Sequence, residues 1–207
     1  HNLSFIVDAM SSFGAVDVNV AELGIDCLIS SANKCIQGAP GFSFIIARRE
    51  ALTATEGNAR TISLDLHSQW KTMEKDNGKW RFTSPTHVVA AFALALKELQ
   101  QEGGVTVRGE RYAATNRKLR EGMRALGFES FVSEAFQGPI ITTFLYPEGR
   151  NLDFKHMHHW LKEQGYVLYP GKLTDRDTFR IGNIGEIYDA DADRILELFA
   201  QYTKEFM

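Results

Sequence analysis

A chain of 207 residues in which 23 lysines and arginines stand against 26 aspartates and glutamates has a net charge of −3, with no basic excess for nucleic acid or an anionic membrane. With 44% apolar residues it can bury one good-sized core or two small ones, and no apolar run is long enough to span a bilayer. Small molecules and other protein subunits are the expected partners, and two cysteines with no visible signal peptide suit a reducing cytoplasm.

Leu3 to Val7 is an apolar run of strand type that ends in Asp8. A strand apolar on both faces belongs inside a parallel sheet, and no β-α unit precedes it. The expectation is therefore the later part of a longer enzyme, with a small self-contained sheet as the alternative. Ala15 to Asp26 reads as a short crossover closed by Gly24, and Cys27 to Ser31 as a second strand leading into the loop that carries Lys34. Gly38-Ala39-Pro40-Gly41 forces a tight change of direction into a third strand, Phe42 to Ala47. So short a link makes the second and third strands antiparallel and the sheet mixed.

From Arg48 to Arg81 the pattern is irregular, a polar stretch bearing Trp70 and Trp80 that suits an interface or an active-site wall. Ser84 reads as an N-cap and Pro85 as the first position of a helix whose stripe of Val88, Phe92, Ala95, Leu96 and Leu99 ends at Gly103. A second helix runs to about Leu126 and stops at Gly127. The pattern then predicts strands at Phe128–Val132, Ile140–Leu145, Val167–Tyr169 and Phe179–Ile181. It predicts helices over Asp153–Gln164 and from about Asp189, the last with a stripe of Ile195, Leu198, Phe199, Tyr202 and Phe206. The expected fold class is α/β: residues 1–103 form part of a large domain with a mixed sheet, and residues 104–207 form a small α+β domain including the linking helix.

Asp8 and Lys34 both sit where strands of an open α/β sheet give way to loops, the edge at which such sheets bind ligands. Either charge taken alone is most simply a solvated strand end, Asp8 capping a turn with Ser11 and Ser12. Together, an acid and an amine on neighbouring strand ends are what pyridoxal 5'-phosphate (PLP) chemistry needs. The lysine forms the Schiff base and later shuttles a proton, and the acid keeps the pyridine nitrogen protonated. Cys35, with no nearby base, is a passive small residue. His156 and His159 share a helical face without a carboxylate or cysteine partner, so no zinc site is expected. Gly182-Asn183-Ile184-Gly185 lacks the context of a dinucleotide fingerprint and reads as a turn.

The strings DAMSSFG, SSANKCIQGAPGF, RFTSPTH and FRIGNIG resemble the class V aminotransferases of PLP fold type I, and the likeness runs through the whole chain. Within that class they are similar to a branch that moves the amino group of 2-aminoethylphosphonate to pyruvate. An alanine- or serine-glyoxylate-type aminotransferase is the neighbouring reading, and a catalytically silent fragment serving as scaffold or dimer surface is the reading of a different kind. The resemblance implies PLP as cofactor, a small-molecule amino donor and a 2-oxo acid as substrates, and a homodimer with shared active sites. It implies that Lys34 is catalytic, that Asp8 binds the cofactor ring, that Thr83 bonds the cofactor phosphate of the neighbouring subunit, and that Arg180 grips the substrate's acid group. Asn33 departs from the desulfurase branch, which places histidine before the lysine. The phosphate-cradling loop and ring-stacking residue of the class are not found in these residues, so this piece by itself is expected to bind PLP weakly if at all.

Overall fold

The computed structural model describes residues 3–171 and 176–207. They form two compact units, His1–Val105 and Thr106–Met207.

The first unit is built on a three-stranded sheet in the order β1 (Ile6–Asp8), β2 (Cys27–Ser31), β3 (Ser43–Ala47). β1 and β2 are parallel, with Asp8 opposite Ile29, and β2 and β3 are antiparallel, with Ser31 opposite Ser43, so the sheet is mixed. β1 is shorter than the apolar run from Leu3 suggests, and among the described residues its strand partner is β2. Leu3, Phe5 and Ile6 are exposed. The start of the strand is tied down by polar groups instead. Asp26 accepts from the Phe5 amide at 2.9 Å and pairs with Arg48, and these two donors, the amide first, hold its carboxyl below the usual range.

The crossover between β1 and β2 is a series of turns, not a helix; Ala9, Ile25 and Leu28 form its small core. The stretch after β3 is more ordered than its broken pattern predicts. It holds α1 (Arg49–Thr53), a single 3₁₀ turn, and α2 (Leu66–Lys75), because Asp65 caps the Ser68 amide at 2.9 Å and supplies a start signal. Trp80 is not a free wall: its ring meets Phe42 edge-on at 6.0 Å, and Phe42 in turn meets Phe92 at 5.2 Å.

α3 (Thr86–Glu102) begins one residue later than the Ser84-Pro85 signal implies. Pro85 occupies the cap position, and no side chain caps the first turn. The helix ends at Gly103 with φ of +113°, a left-handed conformation that glycine adopts without cost. Its buried stripe, Ala95 and Leu99, packs with Ile36 from the lysine loop.

In the second unit, α4 (Gly104–Ala125) and α5 (Phe154–Glu163) lie with α6 (Asp189–Phe206) around one core. An antiparallel sheet in the order β4 (Ile141–Leu145), β6 (Thr178–Gly182), β5 (Tyr169–Pro170) supplies the rest of it. Residues 128–132 do not form the expected strand; only Ser130 bridges to Phe144, and Phe128 turns inward, fully buried. Phe206, expected in the buried stripe of α6, is largely exposed at the helix end. Phe179 lies at the centre, stacked on Phe199 at 5.9 Å and Phe144 at 5.7 Å and met edge-on by Phe128 at 5.6 Å.

The three histidines of α5 serve packing and surface bonds: His156 shares a 2.9 Å hydrogen bond with the Tyr202 hydroxyl, His158 rests on Phe154, and His159 lies 3.2 Å from Glu163. Among the described residues no helix is long and apolar enough to cross a membrane, and no group of metal-ligating side chains is found.

Candidate active site

The carboxyl ends of β1 and β2 are stitched together by a set of short polar side chains. The Ala9 amide donates to the Ile29 carbonyl at 2.8 Å, continuing the parallel ladder by one bond. Ser30, fully buried, donates its hydroxyl to the Ala9 carbonyl at 3.1 Å, and the Cys35 thiol reaches the Ser11 carbonyl at 3.1 Å. A buried hydroxyl is stable there because it is paired. The result is that the Asp8 loop and the Lys34 loop are one bonded body, not two independent excursions.

Within that body the lysine loop alternates buried supports with exposed tips. Ala32, Cys35 and Ile36 have essentially no solvent exposure, whereas Asn33 and Lys34 are exposed. The turn is closed by Gln37 donating to the Lys34 carbonyl and Gly38 to the Ala32 carbonyl, each at 2.8 Å. A Cβ at Gly38 would stand 2.7 Å from that same carbonyl oxygen, so the turn has room for glycine alone. Lys34 is thus an amine on a rigid mount, which is what a positioned nucleophile requires.

Asp8 is exposed at the end of β1, and its Oδ1 accepts from the Met10 amide at 2.9 Å. This is a turn of the capping kind expected for a bland strand-end aspartate, although the donor is Met10 and not Ser11 or Ser12. The bond also fixes the carboxylate's orientation while leaving it capacity for a further donor. Gly14 completes the seam, with φ of +100° and an imagined Cβ only 2.6 Å from Ile36 Cδ1. Gly14→Ala is therefore expected to cost about 1–3 kcal/mol of stability through both strain and overpacking. Chemical denaturation measures it, and a variant as stable as the wild type would mean that the seam is looser than described.

Thr83 is exposed just ahead of α3 and takes no part in capping that helix. The competing account of its hydroxyl as a cap is therefore removed. Its segment is held from behind: the Arg81 amide donates to Gln69 Oε1 at 3.2 Å, and the Arg81 guanidinium reaches the Asp65 carbonyl at 3.4 Å and the Ile62 carbonyl.

In the second unit Arg180 is half-buried on the central strand β6. Phe179 and Ile181 on either side belong to the core, so the alternation of a strand places Arg180 on the opposite face. Its Nε donates to the Pro170 carbonyl at 3.2 Å, a bond that uses one edge of the guanidinium and leaves the two terminal nitrogens as a fork for an acid. Asp8 and Lys34 are thus brought to one sheet edge of the first unit, Thr83 lies elsewhere in that unit, and Arg180 is in the second.

Sequence reasoning missed the stitching roles of Ser30 and Cys35. A serine at the end of a strand and a cysteine in the loop beyond it carry no periodic signal; only the fold reveals which carbonyls they meet.

The sequence profile of the aminotransferase class-V family matches residues 1–174. The chain belongs to the class V aminotransferases. It is 57% identical over 201 residues to the 2-aminoethylphosphonate–pyruvate transaminase of Lysinibacillus sphaericus (strain C3-41), covering 97% of this chain and 54% of that protein. It is 59% identical over 198 residues to the enzyme of the same name from Bacteroides fragilis (strain YCH46), covering 96% and 54%. The chain thus spans about half the length of the curated relatives it matches. Among solved structures it is similar to alanine–glyoxylate aminotransferase from Nostoc sp., with a TM-score of 0.82, 21% identity, and coverage of 96% of this chain and 53% of that one. PLP-bound phosphoserine aminotransferase from Trichomonas vaginalis gives 0.75, 19%, 99% and 55%. The fold is accordingly that of the PLP fold type I aminotransferases.

Proposed function

We propose that this chain is part of a PLP-dependent transaminase that moves the amino group of 2-aminoethylphosphonate to pyruvate, giving phosphonoacetaldehyde and alanine. His1–Val105 is then part of the cofactor-binding large domain, Thr106–Met207 is the small domain, and the working enzyme is a homodimer. The observation that carries the reading is the mount of Lys34: an exposed amine on a loop whose neighbours are buried, bonded into the same seam as Asp8. Identity above one half with transaminases of that name, sustained over almost the entire chain, supports the choice of substrates.

The residues present suit the cofactor. Lys34 would bond its aldehyde, Asp8 would hold its pyridine nitrogen protonated, and the Thr83 hydroxyl would donate to its phosphate in the neighbouring subunit. When bound, the cofactor supplies an electron-accepting ring conjugated to the carbon that bears the amino group. Lys34 Nζ would take the proton from the amino-bearing carbon of the substrate as general base and, as general acid, give it to the carbon at the other end of that conjugated system. Asp8 contributes a fixed negative charge whose position does not have to be reorganised during the transfer. Arg180 binds phosphonate in one half-reaction and the pyruvate carboxylate in the other, since both present two oxygens to a planar fork.

The test is turnover by the full-length protein with pyruvate as acceptor. Aminoethylphosphonate is expected to exceed serine as donor by at least about 10²-fold in kcat/KM, because serine offers the guanidinium a singly charged carboxylate in place of a doubly charged phosphonate. Equal rates on the two donors would overturn the substrate assignment.

A further inference from the structure

Next to β6 lies a buried polar cluster beside an otherwise apolar core. Asn183, the residue after the strand, has no solvent exposure. Its Nδ2 donates to the Tyr112 and Pro139 carbonyls, each at 3.0 Å, and its Oδ1 accepts from Asn116 Nδ2 at 3.1 Å. Asn116 Nδ2 also donates to Thr142 Oγ1 at 3.1 Å, while Asn116 Oδ1 accepts from Arg120 Nε at 2.9 Å. Both amides are thus used at both ends, the condition under which such groups are tolerated inside a protein.

The cluster joins α4, β4 and the end of β6, and its geometry is specific where the apolar contacts are not. Phe144 opposite Phe179 and Ile181 opposite Thr142 would still bury apolar surface if β6 moved along β4. A slip of one residue would send Arg180 into the core, and a slip of two would carry it about 7 Å along the sheet. Only one register lets the Asn183 side chain meet Asn116 and both carbonyls. A buried polar group that fixes register is a well-attested use of such residues.

We propose that Asn183, Asn116 and Thr142 form a register lock for β6, and that Asn183 is a positioning residue that keeps Arg180 on the open face of the sheet. The functional half of this inference rests on the reading of Arg180 as the acid-binding residue.

The experiment uses the full-length protein with Asn183→Leu, Thr142→Val and, as the conservative control, Thr142→Ser. Asn183→Leu is expected to raise KM for both acid substrates at least about 10-fold with kcat changed less than about threefold, because the loss falls on binding and not on the proton transfer. Thr142→Val shifts KM in the same direction by less, and Thr142→Ser, which keeps the hydroxyl, leaves it as in the wild type. Should Asn183→Leu fail to fold, the contrast between valine and serine at 142 decides the matter. Hydrogen exchange at the Thr178–Gly182 amides reads the lock directly, with faster exchange expected in Asn183→Leu and Thr142→Val. A lower Tm with unchanged KM and unchanged β6 protection would overturn the proposal, since a merely structural cluster gives that result. Arg180→Met separates the two ideas: if it leaves KM unaltered, the reading of Arg180 fails, whereas if it raises KM while the Asn183 and Thr142 variants do not, the lock fails.

Discussion

Lys34→Ala in the full-length protein is expected to abolish the long-wavelength absorption of a protein-bonded cofactor and to reduce turnover by at least about 10³-fold. Lys34→Arg should fail as well, because a guanidinium stays protonated and cannot attack an aldehyde. The same substitutions are expected to leave stability within about 0.5 kcal/mol, since Lys34 is exposed and its buried neighbours Ala32, Cys35 and Ile36 do the packing. Absorption spectra, borohydride reduction followed by peptide mass mapping, and chemical denaturation together separate loss of chemistry from loss of fold. An alanine variant that kept the absorption band and the turnover would remove Lys34 from the mechanism.

Phe179→Ala should be the most damaging change to the fold of the second unit. Phe179 is fully buried and its ring lies within 6.3 Å of the rings of Phe128, Phe144, Tyr146, Phe154 and Phe199. Removing it opens a cavity that several rigid rings cannot collapse around, and the expected cost is about 3–5 kcal/mol. For a unit of this size that corresponds to a fall in Tm of about 12 °C or more. Calorimetry measures the shift. A loss below about 1 kcal/mol would mean that the neighbouring rings refill the space and that the centre of this core has been misplaced. Phe179→Leu, which retains most of the apolar volume, should recover more than half of the difference.

These two predictions sit at opposite ends of what could be read from the chain alone. The charge at the end of each apolar run was legible because strands of an open sheet end at the ligand edge, and the antiparallel return of Ser43–Ala47 followed from the short Gly-Pro loop. Gly103 and Gly127 ended their helices where expected, both at positive φ. The pattern failed where local signals were weak or competed. Ser84-Pro85 offered a cap that the chain does not use, and Asp65 supplied one inside a stretch that looks irregular. Residues 128–132 carry the aromatic and β-branched residues of a strand, yet Phe128 is drawn into the ring cluster and only one bridge to β4 forms.

By itself the sequence determined the α/β class, the mixed sheet, and the residue types able to do amine and acid chemistry, because periodicity and turn composition act over a few neighbouring residues. Tertiary structure alone decided that Asp8 and Lys34 share one seam through Ser30 and Cys35. It alone decided that Asn183 meets a residue 67 positions away. Hydrogen bonds between distant segments depend on which strands pair and in what register, and no window of sequence contains both partners.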